Sequence, residues 1–155
     1  LTVPDEHRSA IMDRKLKAPQ YSQNVTVRVV PGPQTEYFTE HGIDTLLNGT
    51  FTVSNQSDRM GLRLDGEKIE TIAGSDIISD GITLGSIQIT SSGQPIVLLL
   101  ADRQTTGGYA KIGTVCSFDI PLLAQLKPGG TVNFRAITVE QAQRIYRIKK
   151  WRIFR

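Results

Sequence analysis

Cysteine is almost missing from this 155-residue chain: Cys116 stands alone. No disulfide can close within it, which suits a reducing cytoplasm. Histidine is as scarce: His7 and His41 lie far apart, neither has a second histidine at ligand spacing, and Cys116 has no CxxC partner. No metal site is expected. Long apolar runs are missing too. The longest, Ile96 to Ala101, is strand-sized, far short of the roughly 20 residues of a membrane helix. The opening residues lack the basic-then-apolar plan of a secretory signal, and a start on Leu1 rather than Met predicts a fragment or processed chain. There is no GxxxxGK[ST] loop, no strand–GxGxxG–helix unit and no GxSxG elbow, so neither a known ATP loop nor a serine triad is expected.

The charge that is present is unevenly spread. Arg144, Arg147, Lys149, Lys150, Arg152 and Arg155 hold six of the 18 basic residues with no acid among them. The remaining 12 basic residues face 15 acidic ones, so the rest of the chain is net −3. A mildly acidic globule with a basic tail has no basic face interleaved with aromatics, which argues against nucleic-acid binding.

Periodicity supplies the fold class. Residues 1–24 are polar, carry Pro4 and Pro19 and show no sustained period; they read as a linker or arm. From Val25 onward, alternating apolar runs follow one another: Val25/Val27/Val29, Phe51/Val53, Leu62/Leu64, Ile87/Ile89 and Val132/Phe134/Ala136. Asn48-Gly49, Asp65-Gly66 and Ser92-Gly93 read as tight turns, the first of them a hairpin with positive φ. Ile96–Leu100, apolar on both faces, predicts a strand covered on each side. Within Lys111–Asp119, one face is expected to gather Ile112, Thr114, Cys116 and Phe118, with Cys116 a small buried hydrophobe. Many short strands with Gly-rich turns predict an all-β barrel or sandwich over 25–138. Two helices are expected. One follows Asp119 as N-cap and stops at Pro128-Gly129; the other is the basic segment 139–155, whose apolar residues dock on the protein or its complex.

Three polar clusters carry the candidate chemistry. Arg59 and Arg63 lie four apart at the mouth of a strand. Their planar forks either grip a carboxylate or carbonyl, or form internal salt bridges to Asp58 or Asp65. Gln88 and Gln94 bring amides to successive strand ends, able to orient a polar ligand or to cap the sheet. The third cluster, Asp102-Arg-Gln-Thr-Thr-Gly-Gly-Tyr109, directly follows the apolar strand. It puts chemical groups at the end of a stiff element, with glycines that admit close backbone approach. Asp102 could serve as base or orienter and Tyr109 as hydrogen-bond donor. The alternative is a glycine-enabled bend locked by local side-chain bonds.

Five stretches then occur in order: Val30-Pro-Gly-Pro-Gln-Thr-Glu-Tyr-Phe, Ser57-Asp-Arg-Met-Gly-Leu-Arg-Leu, Gly85-Ser-Ile-Gln, Gly93-Gln-Pro-Ile and Asp102-Arg-Gln-Thr-Thr-Gly-Gly-Tyr. Together they resemble the allophanate-hydrolase-subunit-2 family. That family includes the C component of bacterial ATP-dependent 5-oxoprolinase, an antagonist of a sporulation-kinase inhibitor, and the carboxyltransferase part of urea carboxylase. The resemblance, from about Val25 to Phe134, implies an all-β, cyclophilin-like closed barrel with one or two short helices. It implies the C-terminal half of a protein about twice as long.

It further implies a complex with two other subunits that opens the small-molecule substrate 5-oxoproline to L-glutamate. ATP is then used by the complex, no cofactor is bound by this chain, and the isolated half is inactive. Catalytic roles are implied for Asp102 and Tyr109, and substrate contacts for Arg59, Arg63, Gln88, Gln94, Gln104 and Thr106. No nucleic-acid or membrane partner is implied, and homo-oligomerisation stays open. A biotin-linked carboxyltransferase and a non-catalytic kinase-inhibitor antagonist remain the alternatives.

Overall fold

The alternating valines of β1 (Asn24–Pro31) point Val25, Val27 and Val29 into a shared core. The computed structural model describes residues 20–99 and 102–153. The expected arm, residues 1–24, falls mostly outside these; at its end Gln23 is tied down, its carbonyl accepting from Thr131 N at 2.8 Å.

The strands read from the sequence appear as β2 (Phe51–Val53), β3 (Leu62–Asp65), β5 (Ser86–Ile89), β6 (Pro95–Val97), β8 (Lys111–Val115) and β9 (Thr131–Ala136). With β1 they close a seven-stranded barrel in the order β1-β8-β5-β6-β3-β2-β9. All the pairings are antiparallel except the closing one, where β1 runs parallel to β9 with Val25 beside Val132 and Val27 beside Phe134. Closure removes the unpaired sheet edges that an open array would expose. Inside, Phe51, Leu64, Ile87, Ile89, Val97 and Val132 are fully buried. The rings of Phe51 and Phe134 meet tilted at 5.8 Å, a favoured aromatic geometry.

Two strands were not legible as such. β4 (Asp76–Gly81) and β7 (Thr106–Tyr109) pair with each other as a separate antiparallel ribbon. The Thr106–Tyr109 stretch, for which a glycine-enabled bend was one of the two readings above, is a strand whose partner is distant in sequence.

A helix absent from the sequence reading, α1 (Glu40–Asn48), starts where Thr39 Oγ1 accepts from Gly42 N at 2.9 Å. Phe38 and Ile43, flanking that cap, both pack into the core, as in a hydrophobic staple. Asn48-Gly49 consequently ends a helix instead of turning a hairpin, and Gly49 has φ −76°. The Ser92-Gly93 turn is as expected, with Gly93 at φ 82°, a value at which a Cβ is strained.

Of the two expected helices, α2 spans Ile120–Ala124 and α3 spans Val139–Ile153. Asp119 does not cap α2 with its side chain. Its carboxylate, buried, instead accepts from Arg28 N at 3.0 Å, Nε at 2.7 Å and Nη2 at 2.6 Å. A two-point bond to a guanidinium outcompetes a neutral backbone cap. Lys149 of α3 reaches the same corner, 3.8 Å from the Asp119 carboxylate and 4.9 Å from the Phe118 ring centre. The docking of α3 is partial, because Tyr146 and Ile148 stay half exposed.

The expected single face in Lys111–Asp119 is also corrected. Between Ile87↔Gly113 and Gln88↔Lys111 the register slips by one residue, leaving Ile112 as the extra residue of a β-bulge. Ile112 and Val115 both enter the core, while Thr114 is only half-buried. Cys116 is buried as expected, and that burial raises its thiol pKa.

Candidate functional site

Residues directly opposite one another across strands share a face of the sheet. Leu62, Val97 and Ile87 are matched across β3, β6 and β5 on the core side. The next positions, Arg63, Ile96 and Gln88, are matched on the outer side, and the β8 bulge brings Lys111 into register beside Gln88. One row across four strands thus carries a guanidinium, an alkyl floor, an amide and an ammonium.

The β4–β7 ribbon lies over this row. Gln88 Nε2 donates to the Tyr109 carbonyl at 3.0 Å, fastening β7 to β5. At Gly107 the two layers approach so closely that a Cβ would stand 3.0 Å from Gln88 Nε2 and 2.8 Å from Gln104 Nε2, so any side chain there would have to push both amides aside. A cleft of about 180 Å³ opens between the layers, with Arg63, Gln88, Gln104 and Tyr109 as polar walls and Ile96 and Leu98 among its apolar lining. A wider hollow of about 440 Å³ shares Arg63, Ile96 and Tyr109 and continues past Gln94. The two-sided apolarity of the Ile96 segment has its cause here: Val97 faces the core, while Ile96 and Leu98 line the cleft.

Four of the eight candidate residues, Arg63, Gln88, Gln104 and Tyr109, meet in the one cleft. Among the described residues Arg63 has no ion-pair partner within 4 Å; it lines both hollows, and its charge contributes to lowering the Asp58 carboxyl. Asp58, offered as its internal partner, is instead bound by the N–H groups of Met60 at 2.8 Å and Gly61 at 3.1 Å, which hold its carboxyl below the usual range. Arg59 and Asp102 pair with each other at 3.6 Å, both exposed. They join the two loops whose neighbours, Met60 and Gln104, line the cleft.

Gln94 has a framework role: its amide accepts from Gly66 N and donates to Gly66 O, each at 3.1 Å, clamping the turn after β3. Thr106 is exposed on β7 and is not part of the lining of either hollow.

Sequence reasoning missed a second polar group under the ribbon. Lys111 is buried, and its Nζ donates to Asp80 Oδ2 at 2.7 Å. Gln34 joins both, its Nε2 donating to Asp80 Oδ2 at 3.1 Å and its Oε1 accepting from Lys111 N at 3.0 Å. The bond from Lys111, then those from Gly81 N–H and Gln34, hold the Asp80 carboxyl below its ordinary range. The available signal was a lysine between Ala110 and Ile112 in a strand, where a buried ammonium demands a partner.

Comparison with known proteins bears on this geometry. The family model for the carboxyltransferase domain, subdomain A and B, matches residues 2–136. The chain is 36% identical over 121 residues to the C component of 5-oxoprolinase from Haemophilus influenzae, covering 78% of this chain and 39% of that protein. It is 34% identical over 134 residues to the same component from Escherichia coli, covering 82% of this chain and 43% of that one. The chain thus spans about two fifths of the length of these curated relatives. The crystal structure of Kluyveromyces lactis urea carboxylase superimposes with a TM-score of 0.74 at 25% identity, covering 83% of this chain and 12% of that one. By the match over most of its length, this chain is a member of the carboxyltransferase-domain family, subdomains A and B.

Proposed function

We propose that this chain forms the C-terminal half of a 5-oxoprolinase subunit and contributes its substrate cleft. The observation that carries the reading is the cleft itself, whose lining brings an arginine of the barrel together with a tyrosine and two amides. 5-Oxoproline is a small lactam bearing one carboxylate. Arg63 grips that carboxylate in two places, while Tyr109 and the amides of Gln88 and Gln104 hold the lactam carbonyl and ring N–H. Ring opening breaks the C–N bond, adds water's hydroxyl to the carbonyl carbon and returns a proton to the nitrogen. Asp102, coupled to Arg59 beside the cleft, is placed by this reading as the group that orients the attacking water. ATP is hydrolysed by the assembled complex with two further subunits, since the chain carries no phosphate-binding loop of its own.

Support comes from the similarity to proteins named as the C component of 5-oxoprolinase. The deciding experiment measures 5-oxoproline-dependent ATP hydrolysis by the complete set of subunits, with Arg63→Ala or Asp102→Ala placed in the full-length protein. Loss of a charge-assisted two-point bond predicts a KM at least about tenfold higher for Arg63→Ala. Asp102→Ala is expected to lower kcat. Unchanged turnover in both would refute the assignment. A second reading, transfer of a carboxyl group from carboxybiotin, is favoured by the superposition on urea carboxylase. Turnover that requires a biotinylated partner would establish it instead.

A further inference from the structure

The buried lysine beneath the ribbon has no part in the substrate contacts above. We infer that Lys111, acting through Asp80 and Gln34, is a positioning residue that fixes the β4–β7 ribbon over the cleft and so sets where Gln104 and Tyr109 stand. The inference rests on the cleft being the substrate site.

The ribbon leaves the barrel where β7 runs through Ala110 into β8, and there it is well held: Ala110 N donates to Ser75 O at 2.8 Å, and Gln88 holds the Tyr109 carbonyl. Farther out, β4 is exposed at Asp76 and from Ile78 to Gly81, with Ile78 almost fully in solvent. Its apolar hold on the barrel is confined to Ile77, which packs against the core, and to Ile82, buried just beyond its end. Asp80 lies in that outer part, matched to Gly107 across the ribbon. The Lys111 side chain runs under the ribbon to reach it. Its side chain is 5% exposed, whereas that of Asp80 is 54% exposed.

The asymmetry matters. A buried ammonium must keep a partner, whereas a half-exposed carboxylate can return to water at little cost. The pair therefore ties the more exposed partner, the ribbon, down to the buried one, the barrel. Gln34, on the segment that follows β1, bonds to both and prevents the pair from sliding. The β-bulge at Ile112 is what makes the arrangement possible, since without the extra residue Gln88 would be matched by an isoleucine.

Amide hydrogen exchange on the full chain tests the inference without any ligand. Lys111→Met keeps volume and apolar stem but removes the charge. It is expected to speed exchange of amides in 76–82 and 104–109 by about tenfold, as loss of a charge-assisted bond does, with the barrel amides of β1, β5 and β9 unchanged. Lys111→Arg should recover most of the protection. In the assembled enzyme, Lys111→Met should lower kcat for 5-oxoproline about tenfold, and Lys111→Arg should restore most of it.

Wild-type protection of the ribbon in Lys111→Met would overturn the inference, as would faster ribbon exchange with unaltered turnover. If Lys111→Met does not fold, Asp80→Asn, at a half-exposed position, must show the same ribbon-confined loosening or the inference fails. Should the wild-type assembly not act on 5-oxoproline at all, the substrate reading falls, while ribbon-confined loosening would still establish the latch.

Discussion

The inside and the outside of the same barrel wall are built on opposite terms. Inward, Val27, Phe51, Ile87, Val97 and Val132 form a continuous apolar core from several strands, so each contact is backed by many others. Outward, one residue along, Gln88 and Lys111 each meet a thin ribbon through a single polar bond, while Arg63 lines the cleft beside it. Alternation along a strand lets one segment serve both purposes, because changing a side chain on one face need not disturb the other.

The sharpest way to break the contrast is to attack the core. Phe51→Ala removes a fully buried ring that packs on Phe134 and should cost about 4 kcal/mol. Chemical denaturation should show barrel and ribbon lost in one shifted transition; a normal midpoint would contradict the packing. Asp119→Ala comes next. It strips a buried carboxylate from the Arg28 fork and should cost about 3 kcal/mol, again read as a shifted denaturation midpoint.

Gly107→Ala should separate the two regions. The new methyl meets the ends of Ile82, Gln88 and Gln104 within about 3 Å. These are flexible tips, so stability should fall by only about 1 kcal/mol, while displacement of both amides should cut the 5-oxoproline turnover proposed for the complete set of subunits about tenfold. Equal loss of stability and activity would mean that the layers are not independent.

The smallest effect is on pH. The Asp80 carboxyl is held below its ordinary range by Lys111. The bond's contribution is therefore full above the usual Asp value of about 3.9 and is lost as pH falls through the lower folded value. Ribbon amide shifts in NMR should stay native at pH 5 and move in more acidic solution, ahead of those of the barrel core.

The barrel was legible because its strands alternate: Val25–Val29, Leu62–Leu64 and Val132–Ala136 declare which face is inward. The ribbon was not. Asp76–Gly81 exposes nearly every residue, so burial imprinted no period on it, and only its partner 25 or more residues away, Thr106–Tyr109, gives it form. α1 was hidden by Gly42, a poor helix former, retained where a Cβ would strike the Glu70 carbonyl. Within the site, Arg63, Gln88, Gln104 and Tyr109 were recognisable from their motifs. Lys111 was not, because the bulge that turns it onto their face depends on strand pairing and cannot be counted from spacing.

The parallel seam between β1 and β9 has a consequence for synthesis. Asn24 finds its place beside Thr131, so the ring cannot shut until almost the whole domain has left the ribosome. Until then the nascent sheet carries two open borders, and pairings across so long a stretch of chain are slow to form. Newly made copies of this domain should accordingly be most prone to cross-chain strand pairing just before the final strand emerges, and most in need of chaperone shelter at that moment.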